Sequence, residues 1–457
     1  MYIPRVSAFG CFDDCFNYVG GYFIANGKVI YKDFFFNHQP IPALISYVIQ
    51  AVTNPINIFE LILKHRQFLL LFSFLFNILF LIRFRYIAIP FILTFELSKF
   101  YVFGDRFLAE GLIIYPLVYL SGVTLQRLSK LKLYAIDYPL SAVFAWFVIF
   151  SREPFAPLAL LLLIIIFWGK LNQIKKSSIT IFGFLTILLL FYIGDIKEYY
   201  FNVVTFNLEA VLPRDIAVKM WGPKLFHIFF YPIYIFFYGD WTILKKLLFG
   251  VDLVFLAYLI LLIKKHVYKL TFFIILILGF SNLRVILPGE LFYESFHMII
   301  WYGLFLFVTS FLVFKYSNIF KVKLISLFTI SVFLVLFLSS DSYFPKEKVD
   351  PHGEFLTNFG HILQDGEAIK LLSSDNDTLF LERSDDLIYW QAGLKPSYKY
   401  TWYTSQMNYF SKYTDEKINM FKSNPPEFYR EFGLCPKKNI SADETLPEFV
   451  QNKYIRL

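Results

Sequence analysis

Asp13–Pro40 reads DDCFNYVGGYFIANGKVIYKDFFFNHQP. It is the long polar-rich passage of the N-terminal half, and apolar runs follow it almost without pause. Asp13, Asp14, Lys32, Asp33 and His38 alternate here with Tyr and Phe. Gly27-Lys28 marks a turn in its middle, and Pro40 and Pro42 mark its end. Aspartates beside a bilayer can take a proton from a hydroxyl or hold a metal ion. The plainer account is a solvated loop that its charges keep out of lipid.

Outward from this loop the chain becomes a membrane protein. It is 57% apolar and 21% aromatic with 17% charge, and its mean hydropathy is +0.55. A soluble domain carries about a quarter charged residues. The net charge of +8 is scattered between apolar runs instead of forming one patch, so it signals topology and not nucleic acid. The three cysteines lack CxxC spacing, which argues against zinc; Cys11 and Cys15 are close enough for a small local bridge.

Long apolar runs fall at about 67–83, 86–103, 107–125, 133–150, 155–169, 177–194, 247–263, 270–287, 296–314 and 324–340, which predicts about ten spans. Ile41–Thr53 is too short to cross and is placed along the interface. Basic clusters at Arg83/Arg85, Arg127/Lys130/Lys132, Lys170/Lys175/Lys176, Lys264/Lys265/Lys269 and Lys315/Lys321/Lys323 are cytoplasmic by the positive-inside rule. Alternation then puts the first loop, Asp105, Arg152, residues 195–246, the loop near Arg284 and the tail outside. This requires that the run around Pro232 does not cross. The expected fold is an all-α polytopic transmembrane domain over 1–340, with outer loops at 1–66 and 195–246. A small extracytoplasmic α/β domain is expected over 341–457. Within it Thr378–Glu382 reads as a strand, and Asp386–Gly393 and Asp415–Lys422 as helices.

Charged residues in the outer loops are the candidate site. Asp105 and Glu110 lie in FGDRFLAEGL, where helix capping is the simple reading. Arg152 and Glu153 form an isolated SREP pair; an arginine there can bind a lipid phosphate bidentately. Arg284 and His297 bracket LRVILPGELFYESFH, and the histidine opens the next span.

The order acidic pair, Tyr22, Ala25, Gly27-Lys28, Tyr31, Asp33-Phe34-Phe35, His38, Pro40 resembles the first outer loop of GT-C class integral-membrane glycosyltransferases. It resembles in particular the protein O-mannosyltransferase and aminoarabinose-transferase-like branch. Tyr199-Tyr200-Phe201 with Asn207, and the tail stretch from Asp385 to Gly393 with Lys395-Pro396, are also similar to that family. The resemblance implies an active site on the outer face of a prokaryotic plasma membrane. It implies a polyprenyl-phosphate-linked sugar donor and an acceptor that is a protein, lipid or glycan. Asp13 or Asp14 is then the base of an inverting transfer. Asp105 or Glu110 is a second acidic group that orients the acceptor or holds a divalent metal, which the reaction does not require. Arg284, His297 and Arg152 bind the donor phosphate, and Lys32, Asp33 and His38 complete the first loop. In the family a spanning helix precedes this loop, so a leading helix is expected to be missing here. The rivals are a lipid-linked sugar flippase, for which Glu96 and Asp137 inside the spans are the starting point, and an inactive relative.

Overall fold

A computed structural model describes residues 6, 13–211, 224–237, 241–283, 295–317, 320–339, 360–382, 387–401, 410–431, 448–450 and 454. The chain is predominantly helical. Helices Ala109–Leu128, Gln173–Ile193, Ile243–Lys264, Phe296–Tyr316 and Lys321–Leu338 are long and apolar enough to cross a bilayer, as is the helical stretch Ile58–Val102. This is therefore a multi-pass membrane protein. Four of the runs expected to span are shorter helices: Ala88–Ser98, Asp137–Ile149, Ala156–Phe167 and Tyr268–Ser281. At about 1.5 Å per residue none of the four covers the ~30 Å hydrocarbon layer untilted. The helix Lys224–Tyr234 has 11 residues, contains Pro232 and is kinked at Phe230, so it too falls short of a crossing.

The chain divides into two compact units that do not follow chain order. One comprises residues 1–65, 190–218 and 349–457; the other comprises 66–189 and 219–348. The expected boundary at 340/341 is sequential, whereas the first unit draws on both ends of the chain.

The second unit is a helical bundle. Ala109–Leu128 and Ile299–Tyr316 are buried along nearly their whole length. Each carries a glycine that admits a close neighbour: a methyl on Gly122 would lie 2.5 Å from Phe84, and one on Gly303 would lie 2.5 Å from Ile114. Close approach through small residues is how helices pack tightly in lipid, where the hydrophobic effect does not drive association. Lys321–Leu338 exposes Leu324, Ile325, Phe328 and Val335, a face suited to acyl chains.

In the first unit, helix Asp14–Ala25 ends at Asn26, and Gly27 follows at φ +77°. That is the left-handed conformation glycine adopts without steric cost, so the expected turn forms. Ile41–Thr53 packs against this helix through Gly20 and Gly21; Gly21 faces Ser46 and the Tyr47 backbone. Its outward face shows Tyr47, Val48 and Val52, while Ser46 and Gln50 are buried. An apolar face turned out and a polar one turned in fit a bilayer surface, not water. In the tail, strands β1 (Thr378–Glu382), β2 (Lys395–Pro396) and β3 (Phe428–Glu431) form a parallel sheet ordered β2-β1-β3. Helices Leu387–Ala392 and Ser411–Ser423 lie between the strands in sequence.

Candidate functional site

In the first unit the two adjacent aspartates differ. Asp14 begins its helix and is fully buried, whereas Asp13 precedes it and is partly exposed. The Tyr18 hydroxyl, one turn on, donates to Asp14 Oδ2 at 2.8 Å. The loop that follows is held by side chains from residues 196–211. Asn202 Oδ1 accepts from the Phe36 N–H at 2.9 Å, Asn207 Nδ2 donates to the Asn37 carbonyl at 2.8 Å, and Tyr199 donates to Gln39 at 3.0 Å. The Phe35 N–H donates to the Lys399 carbonyl of the tail at 2.7 Å. First loop, long loop and tail therefore build one another.

Two of the other first-loop candidates, Asp33 and His38, have structural duties. Asp33 Oδ2 accepts from the Val29 N–H at 2.7 Å and closes a turn. The His38 ring lies among Phe16 and Phe36, and its carbonyl accepts from the Tyr31 hydroxyl at 2.8 Å. Lys32 is exposed. Cys15 is disulfide-bonded; Cys11, close enough in sequence for a small local bridge, lies outside the described residues. A polar group that the sequence did not single out is linked to Asp14 through Tyr18. His65 Nε2 is 2.7 Å from Ser46 Oγ, its Nδ1 is 2.7 Å from the Leu61 carbonyl, and the Tyr18 ring centroid lies 4.4 Å from its own with the planes tilted by 53°. Gln50 donates to Ser46 and to the Tyr18 carbonyl, and accepts from Trp390 Nε1 at 2.9 Å. His65, Ser46, Tyr18 and Gln50 are buried, which suits a clamp between helices.

In the second unit three residues chosen from three separate loops meet. Arg152 Nε donates to Glu110 Oε1 at 3.0 Å, and His297 Nδ1 lies 3.5 Å from the same oxygen. All three are almost wholly buried. Glu110 occupies the first turn of Ala109–Leu128, as expected, but Asp105 does not cap that helix. Leu108 holds the N-cap position without a side-chain bond, and Asp105 lies three residues earlier in a turn. His297 sits in the short 3-10 turn Ser295–Met298 that leads into its helix. Arg284 lies outside the described residues. A carboxylate that accepts from a guanidinium, with an imidazole nearby, suits the orienting of that arginine.

The acids inside the spans are largely neutralised. Arg83 grips Asp137 with Nε and Nη2 at 2.6 and 2.7 Å, while Tyr119 and the Tyr134 N–H donate to the same carboxylate. Glu96 pairs with Lys99 at 2.6 Å and accepts from Tyr115 and Asn77. Asp252, in Ile243–Lys264, escapes a reading that looks for clusters, because apolar residues surround it in sequence. It is buried, and its Oδ1 has no hydrogen-bond partner among the described residues.

Among the described residues no group of three or more His, Cys, Asp or Glu side chains gathers in metal-ligating fashion. Comparison with protein-family models, with curated proteins and with solved structures finds no match.

Proposed function

We propose that this chain is a GT-C type glycosyltransferase that moves a sugar from a polyprenyl-phosphate donor to an acceptor hydroxyl outside the cytosol. The new bond joins the acceptor oxygen to the anomeric carbon, and the bond from that carbon to the phosphate oxygen breaks. The polyprenyl phosphate leaves with the electron pair, and inversion follows from direct displacement. Asp13 or Asp14 takes the acceptor proton. Arg152 and His297, with Arg284, take the phosphate charge, and Glu110 orients Arg152.

The observation that carries this reading is the meeting of Glu110, Arg152 and His297 in one buried polar cluster. An arginine held ready by a carboxylate, beside an imidazole, suits the recognition of a phosphate, whose charge grows as the sugar departs. The disulfide at Cys15 supports an oxidising, outer location for the first loop. A small α/β tail domain on the same side and a count of about ten spans belong to the same proposal.

The decisive measurement is sugar transfer by the purified full chain, offered a panel of polyprenyl-phosphate sugars with and without divalent ions. Asp13→Asn or Asp14→Asn should slow transfer by about 100-fold or more. An active wild type with both variants equally active removes the assignment of the base. A transporter is the second reading, and Asp252 is the observation that favours it, since a buried intramembrane acid is a functional position by default. Lipid-linked sugar flipping in vesicles that stops in Asp252→Asn, with no transfer to any acceptor, would establish that reading instead.

A further inference from the structure

The membrane-spanning helix Gln173–Ile193 ends in a feature that the glycosyltransferase reading does not use. An open depression of about 680 Å³ lies there in the first unit, lined by Tyr192, Ile193 and Ile196 together with Val29 and Lys32. Lys197 completes the rim. A depression that begins where an apolar span stops lies at the bilayer surface, at headgroup depth.

Two cations and one carboxylate, Asp195, line it. Asp195 Oδ1 is already engaged, accepting from the Lys197 and Glu198 N–H groups at 3.0 Å. Lys32 and Lys197 are both exposed. Among the described residues no carboxylate stands within ion-pair distance of either ammonium. Tyr31, beside Lys32, has φ +67°, a backbone conformation that is uncommon for a bulky residue and that fixes where the lysine leaves the turn. Tyr192 and Ile196 remain substantially exposed beside the lysines. Two ammonium groups without a salt bridge among the described residues, beside exposed apolar and aromatic surface, match a molecule with a phosphate head and a hydrocarbon body.

We propose that this depression binds the phosphate head of an anionic membrane lipid, with Lys32 and Lys197 on the phosphate and Tyr192 and Ile196 against the adjoining chain. The site rests only on the membrane reading and stands whether or not the chain transfers sugars.

The test is lipid retention by the full chain in nanodiscs of mixed phosphatidylglycerol and phosphatidylcholine, read by native mass spectrometry. Wild type should retain phosphatidylglycerol preferentially. Lys32→Gln and Lys197→Gln should each weaken that preference about fivefold, and the double variant should abolish it. Lys130→Gln, at a different basic cluster, should leave it intact. Equal retention of both lipids by wild type, or an undiminished preference in a double variant that still elutes as a folded species, overturns the proposal. A second arm offers inorganic phosphate alone. Displacement of the bound lipid by millimolar phosphate would show a site that reads the free anion, and would overturn the lipid assignment.

Discussion

Lys399 reaches Glu198 across 201 positions of sequence, its Nζ 2.6 Å from Oε2. Lys412 takes the other oxygen at 2.9 Å. Burial alone would raise the Glu198 carboxyl, but the hydrogen bonds from Lys399 and then Lys412 outweigh it and hold the group below the ordinary glutamate value. Burial would likewise lower Lys412, yet the Glu198 carboxylate keeps it above the usual lysine value.

A pH dependence follows. The folded Glu198 titrates below its unfolded value, so its contribution is complete above about pH 4.5 and is lost as pH falls through the lower folded value. The Lys412 contribution is complete below 10.5 and is lost as pH rises through its higher folded value. Because the cluster is partly solvated, Glu198→Gln should cost about 1 kcal/mol at neutral pH. Hydrogen exchange of residues 360–431 should show a difference between variant and wild type that shrinks toward zero in acid. A difference that stays constant from neutral to strongly acidic pH would remove the ion pair as its source.

Arg83→Met should be far more harmful. It strands the Asp137 carboxylate in the bundle with Tyr119 and one N–H as donors, a loss of about 3–5 kcal/mol. Adding Asp137→Asn should recover part of that loss, because the uncompensated charge goes with it. Melting of the purified single and double variants in detergent measures the coupling, and additive losses would show that the pair does not act as a unit.

Arg152→Lys separates phosphate recognition from mere packing. Lysine keeps the charge but loses the planar Nε donor that meets Glu110. The donor KM should rise about tenfold, with kcat changed by less. A lower melting temperature with unchanged KM and kcat would make Arg152 a structural residue.

Glycines in the first unit should divide by contact. Gly21→Ala would place a methyl 2.6 Å from Ser46 Oγ and 2.7 Å from the Tyr47 backbone nitrogen, costing about 1–3 kcal/mol through overpacking. Gly27→Ala meets nothing within 4 Å but must hold φ +77°, costing about 1–2 kcal/mol. Gly27→Asn should be milder, since asparagine tolerates that conformation. Thermal melts rank the three, and a neutral Gly21→Ala would mean that the two helices part easily.

Local pattern explains which features the sequence discloses. The run 177–194 is the helix Gln173–Ile193, and 296–314 overlaps Ile299–Tyr316, because apolar continuity is a property of neighbours in the chain. Thr378–Glu382 is a strand as read. Strand β3, only four residues long and preceded by Pro425-Pro426, gives no alternation to read, and its parallel partner lies far away in sequence. His65 stands among charged residues in LKHRQ and looks like a helix end facing water; only the fold shows that it is buried against Ser46. The cluster of Glu110, Arg152 and His297 could be nominated residue by residue, but its 3.0 Å contact depends on helices whose rotation about their own axes no periodicity fixes.

The interleaving of residues 13–65, 190–211 and 360–431 also governs when this protein can mature. Synthesis proceeds at about 5–20 residues per second, so the opening loop waits on the order of tens of seconds for Trp390 and Lys399 to emerge. During that interval Gln50, Phe35 and Glu198 lack their final partners, and a nascent chain stalled before residue 390 keeps that deficit permanently. Premature stop codons late in the gene should therefore yield products that cellular proteolysis recognises at their beginning as well as at their end.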